Sequence, residues 1–464
     1  MREYELIIDE ILANGLSPLK TTPFNSPFLK ECLGLRLGKA GLELYELKDN
    51  PLPVTTDVTP DWPFPQFITG ERYNFLVVRD SIINHEDVVH TVSDDHLTVT
   101  HVFSVDQLTF GQGNLMEVAD FGEYAIMMNG VVMIYWNVAG AWNASLATPT
   151  IPLMNAICNL KGQAVGGGIR GVADSWHGCD ETFYIWSKIG EIDFTPDVEN
   201  TAGYRRCPFG GEVYHTKRLN DDVIGYSSKG ITKLTPVSSP SNTFAFIELD
   251  DVGIINQGAM AVGVNRHVYV GEDYILRMID SKGVTELGYE TLMEELAGED
   301  IIVSYDKKYK DFYIGNSTKT FLLSSKGLTE IPQHPSAVWR RNGETYCLPE
   351  DVDDYKLTIE PYPFDFQYAG QKTSFEVETD LIGVDNSEVS IRYYKDKNNS
   401  STISFRALNN QNCASAMASG IALAPIIRAD ADSELSIGYI KLRYKMTDLR
   451  SIRGVHAPAP RGQS

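Results

Sequence analysis

The sequence reads as an all-β protein: an irregular β-propeller with an extended N-terminal arm and a C-terminal antiparallel β-sandwich. Three observations point there. A seven-residue phrase recurs three times, the strand preceding its last two copies recurs with it, and short alternating strands of another kind follow an acidic run near residue 350. The copies are Ser228-Lys229-Gly230-Ile231-Thr232-Lys233-Leu234, Ser281-Lys282-Gly283-Val284-Thr285-Glu286-Leu287 and Ser325-Lys326-Gly327-Leu328-Thr329-Glu330-Ile331. The last two lie 44 residues apart (281 to 325), and Val268-Tyr269-Val270-Gly271 matches Phe312-Tyr313-Ile314-Gly315 at the same offset. A glycine after a polar residue, between two apolar runs, supplies the backbone freedom a tight hairpin needs. Repeats of about 40 to 50 residues built as β-meanders mark propeller blades, whereas a solenoid would use shorter or helical units.

Taken in chain order, the first segment, residues 1–71, is broken by Pro18, Pro23, Pro27, Pro51, Pro53, Pro60, Pro63 and Pro65 and is expected to run as an extended arm. Within it, Ser26 to Leu35 is apolar enough to need covering. Residues 72–350 carry the meanders, with weaker echoes of the repeat at Phe183 to Ile192 and Met128 to Met133. Successive turn glycines at 130, 190, 230, 283 and 327 are 60, 40, 53 and 44 residues apart, a spacing that calls for long insertions at blade edges. One short helix is expected from Tyr289 to Leu296, ended by Gly298.

The acidic run Glu350-Asp351-Val352-Asp353-Asp354 is read as a domain boundary. In residues 351–464, Thr373 to Thr379, Glu388 to Tyr394, Thr402 to Leu408 and Leu435 to Tyr444 alternate apolar and polar residues, as sandwich strands do. The end of the chain is basic, with Lys441, Arg443, Lys445, Arg450, Arg453 and Arg461 against Asp448. It reads either as a docking surface or as a solvated strand face.

Composition narrows the function classes. Of 464 residues, 43% are hydrophobic and 10% aromatic, enough for sizeable cores. No run approaches the roughly 20 apolar residues of a membrane helix, and Met1-Arg2-Glu3-Tyr4-Glu5 does not open like a signal peptide, so synthesis in a cytoplasm is expected. Cys32, Cys158, Cys179, Cys207, Cys347 and Cys413 are scattered, which fits buried thiols better than a disulfide framework. A net charge of −22 has the wrong sign for gripping nucleic acid. The same charge would let a duplex slide through an acid-lined passage, or would simply keep a large assembly soluble.

Chemical motifs are sparse. Gly166-Gly167-Gly168-Ile169-Arg170-Gly171 matches G-x-G-x-x-G, but Val172 to Gly178 does not start the helix that a dinucleotide cradle needs, and glycines crowded near a propeller axis explain the run better. His177, Cys179 and Asp180 cluster, with Cys207 within conceivable reach, yet no second close pair completes a zinc set. Asp430-Ala431-Asp432-Ser433-Glu434 has the alternating carboxylates of a calcium loop without its glycine and distal glutamate. No Gly-x-Ser-x-Gly or His-Glu-x-x-His is present. No catalytic, cofactor-binding or metal residue is therefore assigned, no cofactor is expected, and the chain is read as a non-enzyme. Paired glycosidase carboxylates drawn from different blades would leave no spacing to read, so a glycan-binding or glycan-cleaving propeller is the alternative. A WD-repeat scaffold lacks its Trp-Asp dipeptide here.

Ile185-Trp186-Ser187-Lys188-Ile189-Gly190-Glu191-Ile192-Asp193-Phe194-Thr195-Pro196, then Ala202-Gly203-Tyr204, Gly210-Gly211-Glu212-Val213 and Asp222 to Gly230, resemble the tail hub proteins of short-tailed bacteriophages. Ile437 to Tyr444 is similar to the final strands of the sandwich in such hubs. The resemblance implies a virion protein of the tail or neck (hub, nozzle or stopper) made in the host cytoplasm. It implies a homohexameric ring around the DNA channel below portal and adaptor, with the head-to-tail adaptor and tail fibre or spike proteins as partners. DNA would pass through the lumen unbound, and the loop from Pro236 to Asn242 is a candidate gate.

Overall fold

The computed structural model describes residues 3–19, 24–38, 41–44, 66–69, 74–80, 86–92, 99–106, 114–137, 142–145, 151–170, 176–237, 244–341, 344–348, 355–366, 368, 370–382, 386–430 and 436–447. They fall into two compact units: Glu46–Phe321 with Gln333–Asp351, and Met1–Tyr45 with Leu322–Pro332 and Val352–Ser464.

The first unit is a β-propeller. Its sheets are meanders in chain order: Gln66–Thr69 through Val99–Asp106 (blade 1), Glu117–Asp120 through Trp142–Ser145 (blade 2), Leu153–Leu160 through Gly203–Arg206 (blade 3), Val213–Leu219 through Phe244–Asp250 (blade 4) and Met260–Val262 through Gly283–Gly288 (blade 5). Blade 6 has Ile302–Asp306 and Asp311–Gly315, with Thr320–Leu323 at the division between the units, and blade 7 is the hairpin Ala337–Arg341 and Glu344–Leu348. The first strands of blades 2, 3 and 4 lie side by side, as do those of blades 5, 6, 7 and 1, and shared cores join blades 1 and 2 and blades 4 and 5, which closes the circle among the described residues. A sheet alone would leave one face wet, so the core sits between blades. Phe75, Val77 and Val89 pack on Met127 and Trp136 between blades 1 and 2, and Tyr184 and Trp186 pack on Val223, Leu234 and Phe244 between blades 3 and 4. Phe67 stacks on Trp339 at 4.9 Å where the first and last blades meet.

The recurring phrase is a hairpin device. In each copy the residue just before it binds a backbone amide two positions on: Lys229 N to Ser227 Oγ at 3.3 Å, Lys282 N to Asp280 Oδ1 at 2.7 Å, and Lys326 N to Ser324 Oγ at 3.2 Å. The second and third copies follow the third strand of their meanders. The first joins the second and third strands of blade 4, so the phrase marks hairpins and only its last interval is a blade period. The short helix lies at Glu290–Glu294, inside the expected span.

The second unit corrects the expected boundaries, because the described residues from 3 to 44 do not run as an arm. Glu3–Ile8 pairs antiparallel with Ile440–Met446, which also pairs with Lys372–Thr379. Leu29–Leu33 lies between Leu328–Ile331 and Lys356–Pro361 in a second sheet that continues through Ala422–Asp430 and Glu388–Tyr394. Thus Ser26 to Leu35 finds its cover in strand pairing, and the propeller takes in Gln66–Thr69, ahead of the expected start at 72.

The physical reason is charge register. Glu3 faces Lys445 and Glu5 faces Arg443 across the strands. Lys445 pairs with Glu3 at 2.9 Å, while Arg443 reaches Glu5 at 3.1 Å and Glu378 at 3.0 Å, and also pairs with Glu376. Cross-strand opposite charges favour this pairing over its alternatives. The basic strand is therefore neutralised within its own sheet, whereas Arg450, Arg453 and Arg461 lie outside the described residues.

Candidate functional site: the axial cavity

The first strands of the seven blades surround a cavity of about 710 Å³ on the propeller axis. One end is crossed by side chains. The Gln66 amide grips the backbone of Met116 in both directions, donating to its carbonyl at 2.8 Å and accepting from its N–H at 3.0 Å. Gln257, three blades on in the loop before Met260–Val262, does the same to Leu115, accepting at 2.6 Å and donating at 3.2 Å. A carboxamide carries one acceptor and one donor group and so substitutes for a strand partner. The strand entering blade 2 is thereby clasped from blades 1 and 5, and the axis is bridged.

A charged tie lies beside this bridge. Glu117 of blade 2 is buried and accepts from Lys217 Nζ at 2.5 Å and contacts His215 Nδ1 at 2.9 Å, both from blade 4. Residues 215 and 217 alternate along their strand, so both side chains turn to the same side. Burial pushes the Glu117 carboxyl upward, but Lys217 and His215 more than offset this and hold it below the usual carboxylate range. His215 Nε2 also contacts the Gln257 backbone carbonyl, which extends the tie to blade 5. A carboxylate saturated in this way ties three blades together and is not poised to transfer a proton. Cys158 also lines the cavity; burial pushes its thiol up to about 12, so it stays protonated and unreactive at neutral pH.

His267 is fully buried in the second strand of blade 5, His267–Val270. Tyr226 Oη donates to its Nδ1 at 2.7 Å, and its Nε2 donates to the Arg218 carbonyl at 3.1 Å, which defines a neutral ring. Burial lowers it from 6.5 to about 4. Between those values the unfolded chain binds more protons than the folded one, so this contribution is complete above pH 6.5 and is lost as pH falls towards 4. The expected loss is about 3 kcal/mol across that window. Urea midpoints measured from pH 7 to 4 check it, and a His267→Gln variant should show a correspondingly shallower dependence.

The other end of the cavity, where the first strands finish, is open and cationic. Arg218 and Lys307 line it, together with Val262 and Val264, and desolvation lowers the Lys307 ammonium from its ordinary value. Glu117 and Asp120 are the acids along the wall. Asp120 accepts from Gly122 N at 2.7 Å.

The residues singled out by motif lie elsewhere. Gly166, Gly167 and Gly168 are in the second strand of blade 3, Gln163–Arg170, where Gly168 has φ +69° and an added Cβ would lie 2.3 Å from the Val213 carbonyl. Crowding by blade 4 accounts for the run. Cys179 packs between blades 2 and 3 and Cys207 between blades 3 and 4, while Asp180 accepts from Thr182, so the four candidate ligands are not brought together. Among the described residues no group of three His, Cys, Asp or Glu is placed to hold a metal. Asp430 accepts from Asn386 at 3.0 Å, but 431–435, most of the 236–242 loop and the 350–354 run lie outside the described residues. Sequence reading missed Gln66, Glu117, His215, Lys217 and Gln257; the one signal available was the alternation of His215 and Lys217 in an apolar strand.

Fold and cavity together define a β-propeller protein whose axis is bridged at one end and open at the other. No protein-family model and no curated protein matches the chain. Among solved structures it is similar to PorZ, a bacterial surface component of the type-IX secretion system of Porphyromonas gingivalis, at 10% identity and TM-score 0.35 over 64% of this chain; it spans 35% of the PorZ chain's length. It is also similar to the Neurospora crassa Pan2 WD40 domain, at 8% identity and TM-score 0.40, covering 67% of this chain and 99% of that one. A third is KlHsv2 with loop 6CD replaced by a Gly-Ser linker, at 12% identity and TM-score 0.33, covering 57% and 83%. Among the described residues no helix is long and apolar enough to cross a membrane.

Proposed function

We propose that the chain is a structural virion protein of a bacteriophage tail or neck, a hub or nozzle subunit forming a ring around the DNA channel. The observation that carries this reading is the loop from Ser187 to Ala202 in blade 3, within the hub-like stretch. It is built as a rigid projection: Phe194 anchors it in the core, Lys188 N bonds the Asp193 carbonyl at 2.9 Å, and Asn200 Nδ2 bonds the Thr195 carbonyl at 2.9 Å. Yet Ile189 and Val198 are exposed, and an ordered loop that presents aliphatic side chains to water suits a subunit contact. The charge of −22 suits a wall that DNA passes without sticking.

Quantitative mass spectrometry of purified virus particles, calibrated on the major capsid protein, tests the reading. The chain is expected at about six copies per particle, the count of one ring. Its absence from particles overturns the proposal. A glycan-binding or glycan-cleaving propeller is the second reading, favoured by Tyr204, which lies exposed and stacks with exposed His177 at 6.1 Å beside Arg205 and Arg206. A glycan array without hits, and no sugar released from host envelopes, discards it.

A further inference from the structure

The open mouth of the axial cavity is cationic in a strongly acidic protein. Arg218 is the penultimate residue of the first strand of blade 4, Arg266 lies in the first turn of blade 5, and Lys307 and Lys310 lie in the first turn of blade 6. Blades related by rotation about one axis place these turns at the same end of the propeller. Their head groups make no ion pair among the described residues: Arg218 donates to the Asn220 carbonyl, and Arg266 to the Lys310 carbonyl. Of the acids at this end, Asp221 is paired with Lys161 at 2.7 Å and Asp120 accepts from Gly122 N at 2.7 Å, while Glu123 lies in the first turn of blade 2; deeper in the wall Glu117 is held by Lys217 and His215. Between the cations Val264 is 67% exposed.

The complementary shape is on the same propeller. At the tip of the blade 3 loop, Asp197-Val198-Glu199 presents an aliphatic side chain 97% exposed between two carboxylates. The tip is held in place by Glu199 N to Asp197 Oδ1 at 3.1 Å and Ala202 N to Asn200 Oδ1 at 2.9 Å, so little ordering remains to be done on binding.

We propose that the Asp197-Val198-Glu199 tip of one copy seats in the axial mouth of a second copy, Val198 against Val264 and the two carboxylates against Arg218 and Lys307. The inference extends the multi-copy reading above and rests on it only in requiring a second copy. Tip and mouth are different surfaces, so one contact leaves a free tip and a free mouth. The pairing therefore either reciprocates as a two-fold dimer or propagates until a ring closes.

Sedimentation velocity on the purified full chain tests this. Wild type is expected to associate reversibly beyond its 51.6 kDa monomer, less so at high salt. The Asp197→Lys/Glu199→Lys and Arg218→Glu/Lys307→Glu variants should each lose about a hundredfold or more in association, and their equimolar mixture should recover it. Lys229→Glu, in the turn between the second and third strands of blade 4, should leave association unchanged, and equal thermal midpoints establish that every variant is folded. A wild type that stays monomeric, variants that associate like wild type, or a mixture that fails to recover would each overturn the pairing. Particles lacking the chain would remove the virion role and leave this result standing, so the two failures are distinguishable.

Discussion

Arg277→Met is expected to cost the propeller about 3–5 kcal/mol, the loss typical of removing one partner from a buried charge network. Arg277 lies in the third strand of blade 5 with its side chain 3% exposed. Its two terminal nitrogens fork onto Asp273 at 2.6 Å each, one of them also reaches Glu286 at 3.1 Å, and Nε lies 3.3 Å from Asp250. Asp250, from the last strand of blade 4, also accepts from Tyr269. One guanidinium thus neutralises carboxylates of two blades, and methionine would fill the space while leaving those acids facing each other. Arg277→Lys restores a charge without the planar fork and should fall between the two. Hydrogen exchange read peptide by peptide checks the expectation: protection should fall in His267–Val270 and Leu276–Asp280. A change below about 1 kcal/mol would place Arg277 among ion pairs that contribute little.

The second large effect belongs to the other unit. Glu360 is fully buried in strand Lys356–Pro361, bidentate to Arg392 at 2.6 and 2.8 Å and paired with Lys30 at 3.0 Å. Glu360→Ala would leave two cations confronting each other without their anion and is expected to cost about 3 kcal/mol, somewhat relieved because both cations keep partial access to water. Glu360→Gln retains the shape and one acceptor and should cost less. Chemical denaturation followed by exchange in Leu29–Leu33 and Glu388–Tyr394, whose side chains meet at this carboxylate, separates the two variants. Equal loss in both would mean that charge, not packing, sets the effect.

What could be read in the sequence follows from distance along the chain. Hairpin chemistry is local, so Ser-Lys-Gly and the matched strands Val268 to Gly271 and Phe312 to Gly315 announced meanders and hence a propeller. The first copy misleads about period because the device serves any tight hairpin, whatever its place in a blade. The partner of Glu3–Ile8 lies at the other end of the chain, so the prolines of the first 71 residues spoke louder than the alternation Glu3, Glu5, Ile7 against Tyr4, Leu6, Ile8. The cavity is harder still. Gln66, Glu117, His215 and Gln257 come from four places in the chain, and only closure of the blades brings them to one axis. No spacing rule could have joined them, whereas the glycine run, which does have a motif's spacing, owes its composition to crowding.

The pairing of Glu3–Ile8 with Ile440–Met446 also sets a timetable. A ribosome adding about 5–20 residues per second needs on the order of half a minute to a minute and a half to pass from Ile8 to its partner Ile440. Throughout that interval the segment Glu3 to Ile8 is an unclaimed sticky edge, whereas the strands within each blade are consecutive and pair as they emerge. Newborn chains of this protein therefore pass through a vulnerable adolescence, and their yield in a cell should depend on how well chaperones bridge it.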